Sequence, residues 1–156
     1  MKNIVIIGST GSIGTQAIDI INENEEYNIF ALSAGKNLSK LSDQIHTYKP
    51  KYYDNLDKKI IHNCTSELLE SSEIVKLENV DFVFFASSGS DALKPIVESL
   101  KSGKDIALTN KEVIVTYGPL LLDISKKNNA TIFPVDSEPS AIWQCLSGEK
   151  RKIYRI

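Results

Sequence analysis

The segment Gly8-Ser9-Thr10-Gly11-Ser12-Ile13-Gly14 constrains this chain more than any other, because of what stands on either side of it. Asn3 to Ile7 is a short, β-branched apolar run ending at Gly8, which reads as a strand buried on both faces. From Ile13 apolar residues recur at Ala17, Ile18, Ile20 and Ile21, a helical stripe that gives way to the polar stretch Asn22 to Glu26. In a strand, glycine turn and helix of this kind, Gly8 permits the tight turn, Gly11 keeps a Cβ out of the path of a phosphate, and Gly14 lets the helix pack close on the strand. The helix N-terminus offers unpaired N–H groups and a positive dipole end to an anion, and Thr10 and Ser12 add hydroxyl donors. A triphosphate-binding loop would need a lysine after its last glycine, whereas Gly14 is followed by Thr15. The middle glycine is displaced from the commonest dinucleotide fingerprint, so two readings stand: a pyrophosphate cradle, or a plain strand-to-helix turn.

The rest of the chain alternates in the same way. A second strand is expected over about Asn28 to Ser33, and Leu38, Leu41, Ile45 and Tyr48 mark a helix that ends before Pro50. Between Lys51 and Glu78 the pattern is weakest, with Tyr52-Tyr53 and Ile60-Ile61 as short strands and Ser66 to Ser72 as a helical turn or two. Phe82 to Ala86 reads as a buried strand, Ser87 to Ser90 as a turn, and Asp91 to Ser102 as a helix stopped by a left-handed Gly103. A strand over Asp105 to Leu108, a helix over Pro119 to Lys127 and a strand over Ala130 to Phe133 follow. Ser140 to Leu146 fits a short amphipathic helix, and Ile153, Tyr154 and Ile156 suggest one more strand. The fold class is α/β, a doubly wound parallel sheet with right-handed crossovers. A length of 156 residues suits a single core.

Composition excludes several partners. Eighteen Lys and Arg against twenty Asp and Glu give a net charge of −2, without the basic excess that a nucleic acid or an anionic membrane would demand. The longest apolar run, Phe82 to Ala86, is far below the ~20 residues of a membrane span. The apolar stretch at the N-terminus is too short for a signal peptide, so the expected location is cytoplasmic. Cys64 and Cys145 are expected to be free thiols. His46 and His62 lack partners at catalytic or ligand spacing, Ile142, Trp143 and Leu146 are expected to pack a core, and Phe82, Phe84 and Phe85 to form sheet interior.

Polar residues at the strand ends carry the chemistry. The second strand ends in Ala34-Gly35-Lys36-Asn37, with no carboxylate for a ribose 2′-OH. Lys36 can neutralise a 2′-phosphate, which favours NADP over NAD; the other reading is a solvated surface lysine. Asn110-Lys111-Glu112 follows a strand at the ligand edge of the sheet: Lys111 can hold an anionic or carbonyl oxygen and Asn110 and Glu112 a ribose, or the triplet is an ordinary polar loop. In Pro134-Val135-Asp136-Ser137-Glu138-Pro139 an extended backbone, favoured at Glu138 by Pro139, points Asp136 and Glu138 to one side. Two hard oxygen donors suit Mg²⁺ or Mn²⁺; the alternative is a pair of solvated acids, one of them capping a helix.

Together these segments resemble the 1-deoxy-D-xylulose 5-phosphate reductoisomerase family: Gly-Ser-Thr-Gly-Ser-Ile-Gly at 8–14, Ala-Gly-Lys-Asn at 34–37, Asn-Lys-Glu at 110–112 and Pro-Val-Asp-Ser-Glu at 134–138 stand in the family's order. The resemblance implies a Rossmann-like NADPH-binding domain over residues 1–134 and the beginning of an α+β catalytic domain over 135–156. It also implies an NADPH- and Mg²⁺- or Mn²⁺-dependent isomerisation and reduction of a phosphorylated sugar in isoprenoid biosynthesis. It assigns Thr10, Gly11, Ser12 and Ile13 to the pyrophosphate, Gly35, Lys36 and Asn37 to the adenosine ribose phosphate, and Asn110 and Glu112 to the nicotinamide half. Lys111 would contact substrate, Asp136 and Glu138 the metal, and Ser137 and Glu138 substrate as well. Pro139 stands where the family has His, and residues 51–80 are shorter than the family's. Further family elements, among them another metal carboxylate and the substrate-phosphate site, would follow Ile156. The 156 residues alone are therefore expected to be inactive, with a homodimer formed through that region. The alternatives are another NADP-dependent reductase of small carbonyl compounds and a non-catalytic dinucleotide-binding module.

Overall fold

The computed structural model describes residues 1–147; the strand suggested by Ile153, Tyr154 and Ile156 lies outside the described residues. Strands β1 (Lys2–Ile7), β2 (Tyr27–Ala34), β3 (Tyr52–Asn55), β4 (Glu67–Leu68), β5 (Phe82–Phe85), β6 (Asp105–Leu108) and β7 (Ile132–Pro134) form one sheet in the order β4-β3-β2-β1-β5-β6-β7. All neighbours are parallel. The chain winds outward from β1 to β4, then begins again with β5 on the other side of β1. Loops therefore diverge between β1 and β5, the place where ligands of such sheets sit.

The two-residue period of β1 builds a core on each face. Val5 and Ile7 point to the side covered by α3 (Ser71–Ile74), α4 (Leu93–Lys101) and α5 (Lys111–Lys127), where Ile74, Ile96, Leu100, Val113 and Leu121 pack. Ile4 and Ile6 point to the side covered by α1 (Ser12–Asn22) and α2 (Leu38–Tyr48), against Ile18, Leu41 and Ile45. On this second side β5 and β7 are less covered. Phe82, Phe84 and Phe133 border a groove of about 380 Å³, shared with Ile20 and Ile21. Of the three phenylalanines expected inside the sheet, only Phe85 is fully buried; Phe82 and Phe84 are half-buried.

Several expected elements change. Ile60 and Ile61 are not a strand, and Ser66 to Ser72 splits into the edge strand β4 and the start of the single-turn α3. A 3-10 turn over Ser90–Ala92 precedes α4, and Gly103 does adopt the left-handed conformation just past its end, with φ +68°. The helix expected from Pro119 begins at Lys111 instead, because Asn110 caps it: its Oδ1 accepts from the Val113 amide at 2.9 Å. Pro119 lies inside this helix and removes the bond to the carbonyl of Val115, a residue 83% exposed, so water can satisfy that oxygen. Asn110-Lys111-Glu112 is thus a helix cap and first turn, not a loop.

The 135–139 segment is corrected in the same sense. Asp136 is extended at φ −62° and ψ 146°, but α6 (Ser137–Leu146) starts at the next residue. Pro139 stands in its first turn, where the missing N–H has no intrahelical acceptor to lose, so Glu138 is helical and not held extended. No residue of α6 is buried, and Trp143, expected in a core, is 47% exposed with its ring edge-on to Phe133 at 6.0 Å.

Candidate functional site

The three glycines of the first turn separate into two tasks. Gly8 has φ +89°, and a Cβ there would come within 2.6 Å of the Ser87 amide nitrogen. A Cβ on Gly14 would overlap the Gly8 carbonyl oxygen and sit 2.8 Å from the Ser9 Cα. The fold itself requires both. At Gly11 a Cβ would meet only ordinary contacts, 3.5 Å to the Gly8 oxygen and 3.9 Å to that of Ala86. Among the described residues nothing demands glycine at this position, which leaves the space before it to a ligand.

The turn is held rigidly. The amides of Gly8 and Ser9 both donate to the Ser33 carbonyl at 2.8 Å. Ser9 is buried, its hydroxyl donates to Gln44 Oε1 at 2.8 Å, and Gln44 Nε2 donates back to the Ser9 carbonyl at 2.9 Å. Gly11 is the N-cap of α1 and has no side chain to offer, so the first-turn amides of Ser12, Ile13 and Gly14 receive no side-chain acceptor among the described residues. Thr15 Oγ1 donates to the Gly11 carbonyl at 2.8 Å and accepts from Lys40 Nζ at 2.7 Å, which puts a positive charge on the flank of the turn. Thr10 is half-buried; Gly11, Ser12 and Ile13 are exposed.

Beside the turn lies a cleft of about 260 Å³ at the carboxyl ends of β1, β2, β3 and β5, bordered by Gly8, Ser33, Gly35, Asp54, Ser87 and Lys94 among others. Gly35 faces open space, and Lys36 is exposed. The Asn37 side chain caps α2, accepting from the Lys40 amide at 3.2 Å. The far wall is tied by Asp54, which accepts from the amide and the hydroxyl of Ser71 and from Lys58, each at 2.7 Å. Glu70 accepts from Lys94 at 2.7 Å and from Ser72, and the Lys94 hydrogen bond, the Ser72 hydroxyl and the Lys94 charge hold its carboxyl at about 2. Ser87 Oγ, also on the cleft, is buried without a hydrogen-bond partner among the described residues.

A second cluster lies beyond β6 and β7. Asn110 is 2% exposed and its amide is fully engaged: Nδ2 donates to the carbonyls of Ser87 at 3.1 Å and Gly89 at 2.7 Å, while Oδ1 caps α5. It therefore fixes Lys111 and Glu112 relative to the loop after β5. Lys111 Nζ is 2.9 Å from Asp136 Oδ2 and 3.7 Å from Glu138 Oε2. The Ser137 hydroxyl donates to Glu138 Oε2 at 2.9 Å. Its own backbone amide, the Ser137 hydroxyl and the Lys111 charge all lower the Glu138 pKa. Asp136 Oδ2 is shut from solvent and accepts no hydrogen bond among the described residues, since Lys111 is near enough to neutralise it but not aligned to donate to it. A buried anionic oxygen with a second carboxylate nearby is a donor set that fits a hard divalent cation, with other oxygens completing its shell. Among the described residues, no group of three or more His, Cys, Asp or Glu is placed to hold a metal.

The structure thus gathers Lys111, Asp136, Ser137 and Glu138 at one place and Thr10 to Ile13 at another, with Gly35 on the cleft between the β1 and β3 ends. Ser9, Lys40, Gln44 and Ser87 were not singled out from sequence. Ser87 had a signal, as the first residue past a strand, but its meaning depends on β5 pairing with β1 so that the two turns meet.

Fold and turn together define a doubly wound α/β domain of the dinucleotide-binding type. Within that class, the chain belongs to the 1-deoxy-D-xylulose 5-phosphate reductoisomerase family, whose model matches residues 4–118. It is 44% identical over 170 residues to the 1-deoxy-D-xylulose 5-phosphate reductoisomerase of Thermoanaerobacter pseudethanolicus, a match covering all of this chain and 44% of that protein. It is 41% identical over 161 residues to the chloroplastic enzyme of Mentha piperita, covering 94% of this chain and 34% of that one. The crystal structure of a reductoisomerase in complex with NADPH, fosmidomycin and magnesium superimposes with a TM-score of 0.85 at 32% identity, over 93% of this chain and 39% of that one. The Zymomonas mobilis enzyme in complex with NADPH gives 0.81 at 29% identity, over 92% and 41%. The chain therefore spans less than half the length of these relatives. A biliverdin reductase at 10% identity and TM-score 0.68 shares the fold alone.

Proposed function

We propose that this chain supplies the NADPH-binding part, residues 1–134, and from residue 135 the opening of the catalytic part of a reductoisomerase that converts 1-deoxy-D-xylulose 5-phosphate to 2-C-methyl-D-erythritol 4-phosphate. The observation that carries the reading is the uncapped first turn of α1 behind Gly11, beside an open cleft, in a chain of this family. The amides of Ser12 and Ile13, with Thr10 and Gly11, receive the pyrophosphate, and the helix dipole adds to their attraction. Gly35 lets the ribose approach, and Lys36 and Asn37 meet its 2′-phosphate. Asn110 and Glu112 stand on the nicotinamide side, where the buried Asn110 acts by holding the loop after β5 in place.

Asp136 and Glu138 are the residues that would hold Mg²⁺ or Mn²⁺, and Ser137 and Glu138 also meet the sugar. When bound, the metal supplies Lewis-acid polarisation of vicinal sugar oxygens and NADPH supplies the hydride. Lys111, with a side chain 62% exposed, reaches an anionic or carbonyl oxygen of the substrate. The reading extends to a cytoplasmic location and a homodimer. Among the described residues no helix is long and apolar enough to cross a membrane.

Fluorescence titration of the 156-residue chain with NADPH, together with NADPH oxidation on 1-deoxy-D-xylulose 5-phosphate with and without Mn²⁺, tests the reading. Residues 1–156 are expected to bind NADPH without turnover, and the complete polypeptide of the reading frame to turn over only with metal. Absence of NADPH binding defeats the reading; turnover by the 156 residues alone defeats the expectation that they lack part of the catalytic site.

A further inference from the structure

We propose that the Lys111 ammonium is a resident counter-ion of the Asp136–Glu138 pair, and that a divalent cation binds there by displacing it. The inference rests on the metal reading above and concerns what occupies the site before metal arrives. Lys111 Nζ lies 2.9 Å from Asp136 Oδ2 and 3.7 Å from Glu138 Oε2, so one positive charge already stands between the two carboxylates. Asp136 Oδ2 is closed to water and accepts no hydrogen bond among the described residues, where that ammonium is its compensation. Without it, two acids two residues apart would repel each other and the buried oxygen would be uncompensated.

The anchoring of Lys111 permits exchange. Its backbone is fixed because Asn110 caps α5 and grips the Ser87 and Gly89 carbonyls, yet its side chain is 62% exposed. The ammonium can swing out by side-chain rotation alone while Asp136 and Glu138 stay where they are. A monovalent and a divalent cation cannot share one position next to the same oxygens, so occupancy by one expels the other. Metal entry then sets Lys111 free to meet an oxygen of the substrate. By linkage the coupling is reciprocal, and an anion that draws Lys111 away strengthens metal binding by the same factor.

Electron paramagnetic resonance of free Mn²⁺, during titration of the 156-residue chain with MnCl₂, measures the competition. Lys111→Met is expected to bind Mn²⁺ about threefold tighter or more, the size of effect that an exposed ion pair and one removed like charge provide. Lys111→Arg, which keeps the charge, should bind no tighter than the unaltered chain, and Asp136→Asn should remove the site from either background. Unchanged or weaker Mn²⁺ binding in Lys111→Met overturns the counter-ion role and leaves the metal reading standing. If neither the unaltered chain nor Lys111→Met shows binding sensitive to Asp136→Asn, the metal reading falls and the counter-ion role falls with it.

Discussion

Gly14→Ala and Gly11→Ala should fail in opposite ways, and the structure gives the reason. An alanine Cβ at position 14 would stand 2.8 Å from the Ser9 Cα, with the Gly8 carbonyl oxygen nearer still. Restoring a carbon contact of ~3.5 Å requires α1 to back away from β1 by at least about 0.7 Å, clearing the nearer oxygen requires more, and neither obstacle is a side chain that can rotate aside. Overpacking against backbone falls in the upper part of the usual range, ~2–3 kcal/mol, and the better helix propensity of alanine offsets about 1 kcal/mol of it, which leaves about 1–2 kcal/mol and a fall in Tm of roughly 2–8 °C. At position 11 the added Cβ meets only atoms at 3.5 and 3.9 Å, and the backbone, at φ −73°, suits any residue. The poorer cap and the stiffer unfolded chain each change stability by under about 1 kcal/mol with opposite sign, so Tm should hold within about 2 °C. The same Cβ, however, projects where the pyrophosphate must approach, and NADPH affinity should drop by about tenfold or more, ~1.4 kcal/mol. Thermal melts followed by circular dichroism, paired with NADPH fluorescence titration, read both quantities. An unaltered Tm in Gly14→Ala would refute the close-packing argument, and unaltered NADPH affinity in a folded Gly11→Ala would refute the placement of the pyrophosphate.

Lys36→Ala should reduce the preference for NADPH over NADH while leaving NADH affinity as it was; an unchanged ratio from paired titrations removes Lys36 from the 2′-phosphate site. Ser87→Ala deletes a buried hydroxyl that has no hydrogen-bond partner among the described residues, so Tm should stay level or rise slightly, while a fall in NADPH affinity of about threefold or more would mark the hydroxyl as a ligand contact. Equal affinity would assign it to the fold alone. Glu70, held at about 2 from the ordinary 4.5 by Lys94 and Ser72, has a depressed folded-state value, so its contribution to stability is present above pH 4.5 and is lost as pH falls toward 2. The stability difference between the unaltered chain and Glu70→Gln, measured by urea unfolding, should therefore shrink across that window; a difference that is constant from pH 5 to pH 2.5 contradicts the ion pair as its source.

How much of this was legible beforehand follows from what a short window of residues can express. The first strand, turn and helix were, because β-branched clustering, glycine spacing and a helical stripe all operate within a few residues of one another. Residues 51 to 80 were not: β4 is two residues long and α3 four, too short for either period to declare itself, and both are held by long-range bonds such as Asp54 to Ser71. The start of α5 was hidden by Pro119, which locally resembles a first-turn proline but sits inside a helix capped by Asn110. Asp136 and Glu138 do lie near one point, though not through an extended backbone. A cap followed by a first helical turn brings them there, and the cation that joins them comes from the start of a different helix, which no spacing within 134–139 could reveal. Likewise the Ser9–Gln44 clamp joins residues 35 apart and depends on how α2 docks.

The sheet order also decides which way round a dinucleotide must lie. Counting from β1, Lys111 follows the second strand away and Asp136 the third, so strand spacings of ~4.8 Å put them roughly 10 and 14 Å across from the glycine turn. On the other side of β1 are Gly35 and Lys36 after β2 and Asp54 near the end of β3. With its diphosphate at α1, an NADPH molecule has its 2′-phosphate on one of these sides and its nicotinamide on the other. Were the phosphate placed toward β7, it would approach Asp136 and Glu138, with the already paired Lys111 as the cation that offsets two carboxylates among the described residues, while Lys36 faced an uncharged carboxamide. Placed toward β2, it meets Lys36 and the flank of the turn where Lys40 sits, and the reactive ring comes to the carboxylate pair. Charge therefore selects the orientation that brings the hydride donor to the side of Asp136 and Glu138, because the carboxylate on the β2 side, Asp54, is taken up by Lys58 and Ser71, whereas Lys36 follows β2 directly and Lys40 flanks the turn.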